Sequence, residues 1–225
     1  EGIRREEADQ WALGSHVKAI RAMDSGKFAE EITAVSVKQK GADASLDRDE
    51  TPRRETTLEK LAKLKAVYPD GICTAGNSSS ENDAAAALVV TTPEIAESYG
   101  LQPLVYLRSF GVAGADPTLT YPAVPLAVNK ALKRAGLSID AMDLIEIQEA
   151  FAAQTLADAK LMGLSAADLE QKVNVNGSGI SLGHPIGATG SIRLITLIHE
   201  MIRRDVRYGL VTICGGGGLG ICAIV

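Results

Sequence analysis

The chain has 225 residues, 46% of them hydrophobic and 23% charged, with a formal net charge of −5. This composition excludes a disordered chain, the acidic balance speaks against a nucleic-acid binder, and no apolar run reaches the ~18–20 residues of a membrane span. Three cysteines are too few for a disulfide framework, which points to a reducing compartment, read here as the cytoplasm.

The chain opens at Glu1, inside a helical pattern, and reads as a fragment or a processed chain. Ile3, Trp11 and Val17 to Ile20 recur at helical spacing. Ile32 to Val37 is β-branched and strand-like, Lys38 to Thr57 a polar surface loop, and Leu58 to Val67 a short helix. Ile72 to Ala75 predicts a strand entering the turn Gly76-Asn77-Ser78-Ser79-Ser80. Glu81 to Val90 predicts a helix with an acidic first turn. A helix over Pro93 to Tyr99 and a strand over Leu104 to Phe110 follow. Val124 to Ala135 predicts a helix stopped by Gly136, Asp143 to Ile147 a strand, and Ala150 to Met162 a helix ending at Gly163. Val173 to Val175 reads as a short strand and Gly187 to Arg204 as a long helix. Leu210 to Ile213 and Ile221 to Ile224 form an antiparallel hairpin at the sheet edge. Strands alternating with helices give a layered α/β fold with a mixed sheet between helices. Scarce aromatics (4%) and 22 glycines imply backbones that approach closely.

Four segments could carry chemistry. Asn174 to Gly190 sets one histidine, His184, among five glycines ahead of a helix. Glycine admits positive φ and bare N–H groups, and the helix start adds a positive dipole end; the bland alternative is a tight turn with a structural histidine. Cys214 stands at a strand end before Gly215 to Gly218, so its sulfur faces a cleft as base or nucleophile, with glycine N–H groups able to meet an oxyanion. Cys73 and Cys222 fit the bland reading of small buried thiols. Gln148 or Glu149, at a strand-to-helix junction, orients a water or caps a helix. Gly76 to Asp83 cradles a polar ligand or simply caps. His16 and His199 read as structural, and no metal site is expected.

Together these segments resemble the thiolase family of CoA-dependent acyltransferases, over essentially the whole chain. Val173-Asn174-Val175-Asn176-Gly177 through Gly183-His184-Pro185-Ile186-Gly187-Ala188-Thr189-Gly190 resembles the family's histidine block. Ile213-Cys214-Gly215-Gly216-Gly217 resembles its terminal cysteine block, and Thr74 to Ser79 its pantetheine channel. The resemblance implies part of a helical loop domain covering CoA (residues 1–70), the closing segment of the N-terminal core (71–95) and the C-terminal core (96–225), in a five-layered fold. It implies that His184 activates a nucleophilic cysteine, that Cys214 is the acid/base at the α-carbon or CoA thiol, and that Gly216 N–H serves an oxyanion hole. It places Arg53 near the CoA phosphate, Ala75 and Ser79 along pantetheine, and Phe151 beside the acyl group. No permanent cofactor is implied; CoA and acyl-CoA are substrates.

The implied activity is thiolytic cleavage or Claisen condensation of 3-oxoacyl-CoA, in fatty-acid β-oxidation or lipid synthesis. The expected assembly is a homodimer or homotetramer, or a complex with a partner supplying the missing half. Three departures stand out. The acylated cysteine of the family belongs to a part absent here. Gln148 replaces the usual Asn, and is tolerated but suboptimal for holding a water. Leu119-Thr120-Tyr121-Pro122-Ala123 replaces the family's Met-Gly-x-Gly-Pro beside the acyl pocket. The alternative is a non-catalytic CoA-binding or scaffold subunit; a cysteine–histidine hydrolase is the weaker third reading.

Overall fold

The computed structural model describes residues 1–39, 41–119 and 121–225. In chain order, α1 (Arg5–Asp24) leads to a hairpin of β1 (Val35–Gln39) and β2 (Ala42–Leu46), then to α2 (Leu58–Ala62) and α3 (Pro93–Ser98). There follow β3 (Ser109–Gly114), α4 (Ala123–Ala135), β4 (Leu144–Ile147), α5 (Ala152–Leu161), α6 (Ala166–Gln171), α7 (Gly179–Leu182), α8 (Thr189–Arg204), β5 (Gly209–Gly215) and β6 (Leu219–Ile224). No helix among the described residues is long and apolar enough to cross a membrane.

The sheet runs β3-β6-β5-β4, with β4 and β5 parallel and the other pairs antiparallel. The terminal hairpin is therefore central, not at the edge: β3 supplies a further neighbour on its outer side. One face carries α4, whose Ala123, Val124, Ala127, Val128 and Ala131 are all fully buried. The approach is close enough that a Cβ on Gly111 would lie 2.1 Å from the Ala127 carbonyl, and one on Gly220 2.3 Å from that of Ala123. The other face carries α8, through Leu197 and Met201 against Leu144, Val211 and Val225. Gly136, with φ 68, ends α4 in the left-handed region where glycine is unstrained.

Both sheet edges are engaged. Beside β4, Val173 forms a bridge with Ile145. The Asn174 amide then accepts from Ile147 N–H (2.8 Å) and donates to Ile147 O (2.9 Å). So Val173 to Val175, expected as a strand, is a pair of bridges with a side-chain amide completing the rung. On β3, Arg134 donates to Phe110 O (2.6 Å) and Lys130 to Val112 O (3.0 Å).

Several expectations shift. The strand expected over Ile32 to Val37 starts three residues later, and the loop expected to Thr57 contains its partner β2. The helix from Leu58 stops at Ala62. Ile72 to Ala75 forms only the bridge Ala66–Thr74, and Leu104 to Phe110 becomes strand only from Ser109. Glu81 to Val90 forms no helix. Its alanines favour a helix, but Val89 and Val90 are 86% and 84% exposed, and a short helix with no buried face is marginal. Helices α6 and α7 were not foreseen. Thr120 lies outside the described residues.

Helix α1 is joined to the sheet layer through buried polar groups. Glu149, fully buried, accepts from Trp11 Nε1 (2.9 Å), Ser15 Oγ (2.7 Å), Asn174 Nδ2 (3.0 Å) and the Ile180 N–H (3.1 Å). Asn77 donates to Asp9 (2.8 Å), and Lys18 to Val173 O (2.9 Å).

Candidate active site

Parallel β4 and β5 end at the same side of the sheet, and the expected site residues follow from those ends. Gln148 leaves β4, donating its N–H to Thr212 O of β5 (3.0 Å); Cys214 lies two residues further along β5. The first turn of α8 leans on the same place, since a Cβ on Gly190 would sit 3.5 Å from Ile213 Cδ1.

His184 precedes α8. Its N–H donates to Ser80 O (2.9 Å) and Asn82 Oδ1 (3.1 Å). Gly183 before it has φ 84, and a Cβ there would lie 2.2 Å from Asn82 Oδ1, so the position demands glycine. The ring Nδ1 lies 2.8 Å from Thr189 Oγ1, and that hydroxyl donates to Pro185 O (2.9 Å). A hydroxyl has one hydrogen, so the Thr189 oxygen accepts from Nδ1–H. Nε2 then keeps its lone pair, the state a general base requires. Burial, then the charge of Arg193, holds this imidazole below its usual pKa, so it is neutral at neutral pH.

Cys214 is half-buried and packs against the α4 cluster. Burial, reinforced by the charge of Asp158, pushes its thiol up to about 11. At neutral pH it is a proton donor, and its thiolate would be a strong base. Asp158 on α5 is fully buried, paired with Gln154, and raised to about 8 by that burial. Gly216 begins the turn between β5 and β6, is exposed, and has open space where a side chain would be. Its N–H is engaged by no hydrogen bond among the described residues.

Gln148 is fully buried. Its Oε1 accepts from Arg193 Nε (3.2 Å), and its amide nitrogen packs on Gly179, where an added Cβ would meet it at 2.3 Å. The extra methylene thus carries the amide into the layer behind the loop. Phe151, 39% exposed, bridges Ser78. Ser79 N–H donates to Ala150 O (3.0 Å), and Ala152 N–H to Asn77 O (2.9 Å). Residues 77–82 therefore hold both the Gln148–Phe151 junction and the His184 loop. Ala75 is exposed at the entrance of that turn and Ser79 is half-buried.

Arg53 is tied by its backbone. Its N–H donates to His16 Nδ1 (3.2 Å) and its carbonyl accepts from Thr56. His16, taken down to about 4 by burial and the Arg53 charge, is the neutral acceptor of that bond, a structural role. The Arg53 side chain is exposed. Cys73 and Cys222 are free thiols, both raised by burial, Cys222 to about 12.

Sequence reasoning missed Asn82, Thr189 and Arg193. The signal for Arg193 was present: an arginine amid Ile192, Leu194 and Ile195 is out of pattern for an apolar helix face. Glu149, offered as a water-orienting or capping group, is instead taken up by buried bonds to α1, to Asn174 and to the Ile180 N–H of α7.

Two family models match in series: the thiolase N-terminal domain over residues 1–94 and the thiolase C-terminal domain over residues 101–225. An acetyl-CoA acetyltransferase of Pseudomonas aeruginosa is 49% identical over 222 residues, covering 98% of this chain and 56% of that protein. The crystal structure of the Bacillus anthracis acetyl-CoA acetyltransferase superposes with a TM-score of 0.94 at 43% identity, over 99% of this chain and 56% of that one. Human mitochondrial 3-ketoacyl-CoA thiolase gives 0.91 at 38% identity, over 99% and 55%. The chain spans about half the length of the relatives it matches. With two thiolase family models matching all of it but residues 95–100 and the same α/β fold in its neighbours, the chain belongs to the thiolase family.

Proposed function

We propose that this chain carries the acid/base half of a CoA-dependent acyl-transfer site, for thiolytic cleavage or Claisen condensation of 3-oxoacyl-CoA. The observation that carries the reading is His184: Thr189 fixes Nδ1 as the donor and leaves Nε2 as a free base. In the proposed site His184 activates the acyl-accepting thiolate, which other residues than these supply. Cys214 moves the proton at the α-carbon, and Gly216 N–H meets the developing oxyanion. Arg53, Ala75, Ser79 and Phe151 hold the CoA phosphate, pantetheine and acyl group. The exposed Arg53 side chain and the exposed face of Phe151 support these assignments. The domain division at residues 70 and 95 is part of this reading, and the gap between the family models after residue 94 supports its second boundary. So are a cytoplasmic location, supported by three free cysteines, a homo-oligomeric state, and a role in fatty-acid degradation or synthesis, for which family membership is the support.

The test is exchange of the acetyl-CoA methyl protons in D₂O, followed by NMR, a step that needs Cys214 but no acylated cysteine. A thiolate takes the proton from the α-carbon, the resulting thiol trades it for a deuteron from D₂O, and that deuteron is returned to the carbon. Exchange should accelerate as pH rises toward the thiol's value of about 11, and Cys214→Ala should abolish it with acetyl-CoA affinity unchanged. Binding without exchange in the wild-type chain would favour the scaffold reading, which the burial of Gln148 supports. Absence of binding would defeat both.

A further inference from the structure

Arg193 sits between Ile192 and Leu194 and is 1% exposed. Burying a guanidinium is costly, and its bonds go to one side-chain amide and one peptide carbonyl of the site. Nε–H donates to Gln148 Oε1 at 3.2 Å, and Nη2–H donates to Gly183 O, the carbonyl immediately before His184, at 3.1 Å. The surrounding charges come from four segments: Glu31 after α1, Asp49 before α2, Glu146 on β4 and Glu149 at the β4–α5 junction. Because a guanidinium nitrogen only donates, the atom it meets on Gln148 is the carbonyl oxygen. The amide's NH₂ end is therefore turned away from Arg193, toward Gly179, and Nε2 has no partner among the described residues.

We infer that Arg193 is a positioning residue for the proposed site, binding the Gln148 amide and the peptide leading into His184 to one planar cation so that the two hold a fixed relation. The inference rests on the acid/base reading above. It accounts for glutamine at position 148: an asparagine, shorter by about 1.5 Å, would leave Arg193 Nε without its acceptor. It also accounts for Gly179, since any side chain there would displace the amide. Arginine suits the place because its rigid fork serves two acceptors at once, which a lysine ammonium on a flexible stem does not reproduce.

Two readouts on the purified chain test this. The first is acetyl-CoA proton exchange in wild type, Arg193→Lys, Gln148→Met and the double variant. Each single change should slow exchange about tenfold to a hundredfold, the scale of a small misplacement, with acetyl-CoA affinity unchanged. The double variant should be no slower than the slower single, because residues acting as one unit are not additive. Additive losses, or wild-type exchange in Arg193→Lys, would overturn the proposal. The second is the NMR titration of the His184 ring, which does not depend on exchange. It should stay in place in Arg193→Lys and move upward in Arg193→Met. If the wild-type chain exchanges nothing, the acid/base reading fails, and the titration still decides the Arg193 link: an unmoved His184 in Arg193→Met would end it. Should Arg193→Met fail to fold, an altered titration in Arg193→Lys, where the charge is kept, would likewise count against it.

Discussion

Helices α4 and α1 are held to the rest of the layer by different means. Helix α4 lies on its sheet through alanine, valine and glycine, with backbones nearly in contact. Helix α1 packs a few alanines but is also joined through buried carboxylates and amides and the half-buried Lys18 ammonium. Apolar packing tolerates small shifts, whereas a buried carboxylate with four donors has one acceptable position. The polar joint sits next to the site: Glu149 directly follows Gln148, and its donors reach α1, Asn174 and α7. Rigidity at the site thus comes from the polar side, bulk stability from the apolar one.

Three variants would break or sharpen this contrast. Glu149→Ala should have the largest effect, removing the shared acceptor of four donors and leaving Trp11 Nε1 and the Ile180 N–H without one, at a cost of about 3–5 kcal/mol in denaturant unfolding. A loss below 1 kcal/mol would show that the polar joint is incidental. Gly111→Ala should follow: its Cβ would fall 2.1 Å from the Ala127 carbonyl, forcing α4 outward at about 1–3 kcal/mol. A neutral result would show slack in the apolar joint. Asp158→Asn concerns a buried carboxyl on α5, paired with Gln154, and its effect depends on pH. The Asp158 carboxyl is raised to about 8, so its neutral form contributes stability that is full below the unfolded carboxyl value and lost as pH rises toward 8. Wild-type stability should therefore slope downward through that window, by up to about 1.4 kcal/mol per pH unit from this group. The Asn variant should remove that part of the slope; identical pH profiles would refute the assignment.

What could be read from the residues follows the same division. Helices α4, α5 and α8 and the terminal hairpin were legible because apolar periodicity and the stops at Gly136 and Gly163 are local signals. His184 and Cys214 were legible because glycine-rich surroundings have few other uses. Residues 81–90 were misread because alanine content records propensity, not whether a face exists to bury. The bridge at Val173 and the short α7 depend on partners distant in sequence. The burial of Gln148 and the bonds of Arg193 and Glu149 were hidden for the same reason: which acceptor a buried donor finds is settled by tertiary neighbours.

The guarded edges of the sheet carry a consequence for life in a crowded solution. An open strand offers its peptide groups to any other chain that can extend beside it, the first event in runaway self-association. Here β4 already has its rung filled by the Asn174 amide. On β3, carbonyls of Phe110 and Val112 are taken by Arg134 and Lys130, and two cations along one border repel a copy of the same border. The sheet thus ends by chemistry rather than by closure, and neighbouring molecules meet side chains and positive charge where a growing fibre would need bare backbone.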